Sequence, residues 1–474
     1  MSSRNFCEIE YTSTRGGAPD LGFRDVLLKG LAEDGGLYVP KTLPKFTPQD
    51  FSEFKNMPYT EVAKKVLSVF IGHIMSEQDL SDLVDETYAS FHHKDICPLV
   101  ELDKDFWIME QFHGPTLAFK DFALQFLGRI FDYVLKEKKQ NITIVGATSG
   151  DTGSAAIEGC RGRENMNIFI LHPHGRVSDV QRRQMTTVSD DNVFNIAIKG
   201  SFDDCQDLVK AMFNDHDFRA SINMSAVNSI NWARIMAQIV YYIYAASKFE
   251  NGVTVFVPTG NFGNIYAGYL AKQMGAPIKR LVVATNKNDI LYRFFQTGEM
   301  KIEGVNPSLS PSMDIQISSN FERLMFDFMG RDTAQVSDLM GAFRANKSFK
   351  MPPETFDKMK QIFSAYRCDD EDTKRVTNEI YQQYDYVVDP HTATGVMAML
   401  EYKKHNLADG EALLGLSTAH PSKFPDAVES AISVRPELPN WLDDLFERDE
   451  QYDICENDLQ AVQQFILSKL NHSS

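Results

Sequence analysis

A lysine behind a small-residue turn and between apolar neighbours has clear chemical potential: Lys120, in His113-Gly114-Pro115-Thr116-Leu117-Ala118-Phe119-Lys120-Asp121. An ordinary lysine is a hydrated cation on a flexible stem. Burial disfavours its charged form, and a neutral amine condenses with a carbonyl compound. The carbonyl that this setting points to is the aldehyde of pyridoxal phosphate. Read without context, Lys120 also fits a helix-start side chain that lays its stem over apolar residues.

Three further segments place glycines and small polar side chains directly behind apolar runs. In Ile142-Thr143-Ile144-Val145-Gly146-Ala147-Thr148-Ser149-Gly150-Asp151-Thr152-Gly153, a strand-like run meets a glycine-hydroxyl loop and then a helix-like stretch. Such a loop offers amides and the positive end of a helix dipole to a carboxylate or phosphate, and Thr148, Ser149 and Thr152 add hydroxyl donors. The glycine spacing is not that of a dinucleotide fingerprint, and no Gly-Lys-Ser/Thr comes after it. A purely structural strand-to-helix turn remains an alternative.

The second segment is Val257-Pro258-Thr259-Gly260-Asn261-Phe262-Gly263-Asn264-Ile265, opening a helix that should end near Gly275. Gly260 and Gly263 allow successive amides to converge on a phosphate monoester, with Asn261 and Asn264 as extra donors or caps. Gly-Asn pairs also make ordinary turns. The third is Leu416-Ser417-Thr418-Ala419-His420-Pro421-Ser422-Lys423. A hydroxyl facing a pyridine nitrogen would not force that nitrogen to be protonated, which tempers the ring as an electron sink and suits controlled elimination. A simple cap and turn is the other reading. Finally, Asn228-Ser229-Ile230-Asn231-Trp232-Ala233-Arg234 brings Asn228, Ser229 and Arg234 into one turn-and-helix unit. The planar, permanently charged guanidinium suits a second phosphate, or else a surface ion pair.

The elements that must carry these loops are legible in the hydrophobic pattern. Helix-period stretches occur at 62–70 and 80–91, within a region that also holds Arg15-Gly16-Gly17 and Asp34-Gly35-Gly36-Leu37. They predict a small, mainly helical leader. After Pro98, apolar runs at 142–145, 168–171, 193–198, 253–257, 281–284 and 412–416 alternate with helical stretches, as α/β units around parallel sheets do. Residues 308–389 read as helical and more polar, with Asp369-Asp370-Glu371-Asp372 as a solvated turn. No repeat of solenoid or propeller period is visible, and the tail Asn471-His472-Ser473-Ser474 reads as frayed.

Composition narrows the function classes. The 474-residue chain is long enough for two or three cores. Its formal charge of -17 and pI near 5.1, with no basic block, argue against a nucleic-acid surface and favour small-molecule partners. Cys7, Cys97, Cys160, Cys205, Cys368 and Cys455 are scattered without zinc-ligand spacing, and they read as reduced thiols. The start of the chain lacks the pattern of a secretory signal, and no apolar run reaches the ~20 residues that a bilayer requires. These features predict a cytoplasmic protein without membrane insertion or a metal site.

Taken together, these motifs resemble the threonine synthase family, in the longer branch of bacteria and fungi. The resemblance spans nearly the whole chain: Tyr11-Thr12-Ser13-Thr14-Arg15-Gly16, Asp34-Gly35-Gly36-Leu37, the Lys120 segment, residues 148–153, 228–231, 260–263 and 310–315, Asp389-Pro390-His391, and Ser417-Thr418-Ala419-His420-Pro421. It implies an α/β fold of two three-layer lobes with mainly parallel sheets, the type II fold of pyridoxal-phosphate enzymes, plus a small N-terminal helical domain. The corresponding division is 1–95 for the leader, 96–140 with 236–474 for the large cofactor-binding domain, and 141–235 for the smaller one.

The resemblance further implies a lyase that uses pyridoxal 5'-phosphate to turn O-phospho-L-homoserine and water into L-threonine and phosphate. Lys120 would carry the cofactor. Gly260, Asn261, Phe262, Gly263 and Asn264 would hold its phosphate, and Thr418 would address its ring nitrogen. Thr148, Ser149, Asp151 and Thr152 would receive the substrate carboxylate, and Asn228, Ser229 and Arg234 the substrate phosphate. His113 and Asp121 could be structural or could transfer protons. Asn264 departs from the aspartate common in this branch, and Ser422 from the alanine. A phospholyase or dehydratase releasing 2-oxobutyrate is the alternative activity, and a monomer or homodimer the expected state.

Overall fold

The computed structural model describes residues 8–148, 150–225, 227–406 and 410–472. Ser149 and Cys7 lie outside this set, as do the last residues of the tail, Ser473 and Ser474. The chain forms two compact units: Met1–Gly114 with Ser229–Pro436, and Pro115–Asn228 with Glu437–Ser474.

The first unit is built on a six-stranded sheet. Its order is Phe363–Arg367, Ile278–Thr285, Val253–Pro258, Ala412–Ser417, Phe106–Glu110, Leu99–Asp103, and its neighbours are parallel except the last pair. Val253–Pro258 and Ala412–Ser417 are buried along their whole length, as central strands covered on both faces must be. Since these strands run the same way, the loops after Pro258 and Ser417 emerge at the same carboxyl edge, where open α/β sheets place their sites. The leader adds helices Phe23–Lys29, Pro48–Phe54, Tyr59–Ile71 and Glu77–Tyr88, plus a two-stranded antiparallel sheet of Tyr11–Ser13 with Tyr38–Pro40. Aromatic rings fix it in place: Tyr11 and Phe70 both pack on Trp232, and Tyr59 packs on Tyr244, all on the helix Trp232–Ala246.

Glu322 ties the leader motif to the rest of this unit. It accepts hydrogen bonds from Thr14 Oγ1 (2.6 Å), Arg15 Nε (3.0 Å) and Arg15 Nη2 (2.7 Å). The adjacent Arg323, fully buried and held down to about 10 by desolvation, donates to the carbonyls of Tyr38 and Ile230 and to Asn320 Oδ1. Such a guanidinium is tolerable in the interior only because carbonyl oxygens replace its hydration.

The second unit holds a five-stranded sheet in the order Asp453–Cys455, Val193–Ile198, Met166–Pro173, Ile142–Ala147, Met224–Ser225, with every pairing parallel. Val462 and Ile466 of the last helix join Val145, Phe169, Leu171 and Ile196 in its core. The helix Lys120–Lys138 crosses the helix Asp151–Cys160 at two glycines so closely that a Cβ on Gly128 would lie 1.9 Å from the Gly159 carbonyl oxygen.

The expected α/β architecture is the observed one, and each of the six anticipated strand runs is a strand. Three details differ. The sequence division keeps 115–140 and 437–474 with the large domain. Here the Lys120–Lys138 helix packs within the second unit, and Asp453–Cys455 pairs along its sheet edge, a non-local pairing that local periodicity does not encode. Asp369-Asp370-Glu371-Asp372 is not a free turn. Asp369 caps the helix Asp370–Tyr384, accepting from the Asp372 amide, and the other three carboxylates lie against the positive end of the helix dipole. Within the region read as helical, Phe363–Arg367 is the edge strand of the large sheet.

Candidate active site

In the second unit, Lys120 is the first residue of its helix, with a side chain only 11% exposed. Its Nζ lies 3.3 Å from Asp151 Oδ2, and the other carboxylate oxygen of Asp151 accepts from Gln181 Nε2 at 2.8 Å. The turn before it is set by Leu117, which adopts a left-handed φ of 63°, and by Asp121. The two oxygens of Asp121 accept from Thr116, one from its amide (2.8 Å) and one from its hydroxyl (2.6 Å). Asp121 is therefore a bracket for the lysine turn. An acidic side chain so engaged as Asp151 is a poor receiver for another carboxylate, so any anion at this loop must meet amides and hydroxyls instead.

Thr148 organises that loop. Its Oγ1 accepts from the amides of Gly150 and Gly153, each at 2.9 Å, while its own amide donates to Leu171. Gly153 has no room for a side chain, because a Cβ would stand 2.4 Å from Thr148 Cγ2. We expect Thr148→Val to leave two buried amides without an acceptor and to cost about 2–4 kcal/mol of stability, read from urea unfolding. A loss below about half a kcal/mol would show that the loop does not depend on this hydroxyl. Thr152 is the second residue of the helix Asp151–Cys160, and Asn228 is exposed at the end of this unit's central segment.

In the first unit, residues 260–264 are locked by a neighbouring segment that the sequence motifs do not include, Ser318-Ser319-Asn320. The Gly260 carbonyl accepts from Ser318 Oγ (2.8 Å), the Asn261 carbonyl from the Asn320 amide and from Asn320 Nδ2 (both 3.0 Å), and Asn261 Oδ1 from Ser319 Oγ (3.4 Å). Asn320 Nδ2 also reaches the Ser229 carbonyl at 3.1 Å, and Ser229 Oγ lies 3.3 Å from Ser319 Oγ. Ser229 and the glycine loop are thus brought together through three residues whose polar composition, just ahead of the helix Phe321–Phe328, was the available signal.

Phe262 takes a left-handed φ of 63° to start the helix Gly263–Gln273. A Cβ on Gly260 would come within 2.9 Å of the Ser312 carbonyl. Asn264 Oδ1 accepts from the Tyr241 (2.6 Å) and Tyr242 (2.8 Å) hydroxyls, and its buried Nδ2 finds no hydrogen-bond partner among the described residues. Arg234, the third residue of the helix Trp232–Ala246, is buried, and desolvation lowers its pKa to about 10.

Thr418 comes directly after the central strand Ala412–Ser417 and is buried, its amide donating to Thr392 Oγ1 at 3.2 Å. His420 is pushed down to about 4, first by burial and then by the neighbouring His113, so its imidazole is neutral at physiological pH. His113, in this same unit, is paired through Nε2 with Glu110 Oε2 at 2.7 Å and lies against the His93 ring, tilted by 36° with the centroids 4.8 Å apart. Among the described residues, no cluster of three His, Cys, Asp or Glu could hold a metal, and no helix is long and apolar enough to cross a membrane.

Sequence comparison matches residues 10–88 to the threonine synthase N terminus, 96–345 to pyridoxal-phosphate dependent enzymes and 392–466 to the threonine synthase C-terminal region. A threonine synthase of Pseudomonas aeruginosa is 50% identical over 97% of this chain and 98% of its own length. The chain belongs to the threonine synthase family. Among solved structures, the pyridoxal-phosphate-bound threonine synthase of Brucella melitensis superposes with a TM-score of 0.95 at 48% identity, covering 97% of this chain and 99% of that one. The yeast threonine synthase gives 0.93 at 39% identity, covering 98% and 99%.

Pyridoxal 5'-phosphate is the cofactor of this family, and the residues present fit it. Lys120 offers a primary amine on a side chain only 11% exposed, and Gly260 keeps a bare backbone in the glycine loop because a Cβ there would stand 2.9 Å from the Ser312 carbonyl. The donor of Asn264, without a partner among the described residues, suits a phosphate oxygen. By chemistry alone, the amine suits an aldehyde, and within the first unit the bare backbone and the amide donor suit a phosphate.

Proposed function

We propose that this chain converts O-phospho-L-homoserine and water into L-threonine and phosphate, with Lys120 as the residue that carries the cofactor. The observation that supports this most is the largely covered Lys120 amine held by Asp151 at the start of the helix after the Thr148 loop, in a chain of this family. When bound, pyridoxal phosphate supplies an anchor for the substrate amine and a ring that stores the electron pair left at Cα.

Gly260, Asn261, Phe262, Gly263 and Asn264 hold the cofactor phosphate through amides and the Asn264 donor, and Thr418 directs its hydroxyl to the ring nitrogen. Thr148, Ser149 and Thr152, with the amide end of their helix, receive the substrate carboxylate. Asp151, in the same loop, acts by orienting Lys120 Nζ. With the cofactor bound, that nitrogen would be the group to take the proton from substrate Cα. Asn228, Ser229 and Arg234 hold the substrate phosphate; with a pKa near 10, Arg234 is still cationic at neutral pH. Binding energy from this remote group serves to exclude bulk water until the one water that is needed adds at Cβ. Asp121 serves as a structural support for the turn, and His113 pairs with Glu110. The setting is cytoplasmic, the partners are small molecules, and the state is a monomer or homodimer.

Incubating the holoprotein with O-phospho-L-homoserine and assaying threonine, phosphate and 2-oxobutyrate together tests the proposal. Threonine and phosphate should rise in equal amounts. Keto acid and ammonia with little threonine would instead make the chain a phospholyase.

A further inference from the structure

The motif Asp389-Pro390-His391 takes no part in the chemistry proposed for the chain, yet the Asp389 carboxylate is fully buried and accepts four hydrogen bonds. They come from the His391 amide and His391 Nδ1 (both 2.9 Å), the Thr392 amide (3.2 Å) and Thr392 Oγ1. The supply of protons sets the direction of each bond beyond the carboxylate. Thr392 gives its only hydroxyl proton to Asp389, so Oγ1 can only accept further bonds, and it faces the Thr418 amide and Ser417 Oγ, each at 3.2 Å. His391, protonated on Nδ1, accepts through Nε2 from the Ser312 amide at 3.2 Å. Ser312 in turn carries the carbonyl that leaves no space for a side chain at Gly260, 2.9 Å from where a Cβ would stand. One carboxylate therefore holds both the strap over the glycine loop and the peptide of Thr418. Thr418 is 4% exposed, and its hydroxyl takes no protein partner among the described residues.

We propose that Asp389, acting through His391 and Thr392, is a positioning residue that sets the separation between the loop at Gly260 and the Thr418 hydroxyl to the phosphate-to-ring-nitrogen length of the cofactor. This inference rests on the reading of the chain as a pyridoxal-phosphate enzyme with Lys120 as its carrier. It adds a specific cause for why Thr418 stands where a ring nitrogen can reach it. A volume-conserving change at Thr392 separates the two arms without touching either loop.

The test compares T392V, T392S and wild type as holoproteins, by the absorbance maximum of the bound cofactor, the Kd for pyridoxal phosphate, kcat and KM, and borohydride labelling of Lys120. T392V should weaken the cofactor about tenfold and lower kcat about tenfold with KM changed less than about twofold. It should also displace the absorbance maximum while Lys120 is still labelled. T392S, which keeps the hydroxyl, should restore the wild-type spectrum and a Kd within about twofold. A T392V protein with wild-type spectrum and Kd overturns the proposal. If T392V fails to fold, T392A takes its place in the same comparison. Failure of both to fold assigns the triad to stability alone and also overturns it. Absence of any label on Lys120 in the wild type would sink the cofactor reading instead, which keeps the two failures distinct.

Discussion

Lys120→Ala is expected to lower kcat by about a thousandfold or more, because in the proposed mechanism Lys120 both carries the cofactor and takes the Cα proton. Borohydride reduction of the wild-type holoprotein should leave a pyridoxyl label on the peptide containing Lys120, and the variant should carry none. Stability should change far less than activity. The carboxylate of Asp151 keeps its hydrogen bond from Gln181 Nε2 at 2.8 Å, and the turn before the helix is held by Asp121 and Thr116, not by the lysine. A variant that turned over substrate at about a tenth of the wild-type rate, or a label found on a different lysine, would remove Lys120 from the chemistry.

The second large effect is structural. Gly128→Ala should destabilise the unit containing Lys120 by about 3–5 kcal/mol, or abolish its folding, because the added methyl would lie 1.9 Å from the Gly159 carbonyl oxygen and 2.6 Å from its carbon. Neither atom can move aside as a flexible side chain would, since both belong to a helix backbone. Gly159 meets the reciprocal constraint, its Cβ position being 2.4 Å from the Leu124 carbonyl oxygen. The crossing also matters to the site: it fixes the helix that begins at Lys120 against the helix that begins at Asp151. Thermal unfolding measures the effect. A melting temperature within a degree or two of wild type would mean that the helices separate at little cost, and the 3.3 Å approach of Lys120 to Asp151 would then need another explanation.

The candidate site was more legible than its supports. Lys120, Thr148, Gly260 and Thr418 stand out in sequence because their types are unusual for where they sit, behind apolar runs and among glycines. Asn320, Asp389 and Thr392 do not, since one asparagine, aspartate or threonine in a polar stretch looks like many others. Their importance comes from which backbone groups they reach: Asn320 joins Ser229 to Asn261, and Asp389 joins the Ser312 strap to Thr418. Asp121 shows the same point from the other side. Beside Lys120 it could have been a proton carrier, and only its two short bonds to Thr116 make it a bracket.

By itself the sequence determined the six central strand runs, the loops behind them and, through the ordered motifs, the family, and it singled out Lys120 as the candidate lysine. Those properties are local: burial on both faces writes a continuous apolar run, and a close backbone approach writes a glycine. Tertiary structure alone decided that 453–455 is an edge strand along 193–198 and that 363–367 closes the larger sheet. Pairing between distant segments and the sharing of one carboxylate by two loops depend on what the folded chain brings together, and no window of neighbouring residues carries that information.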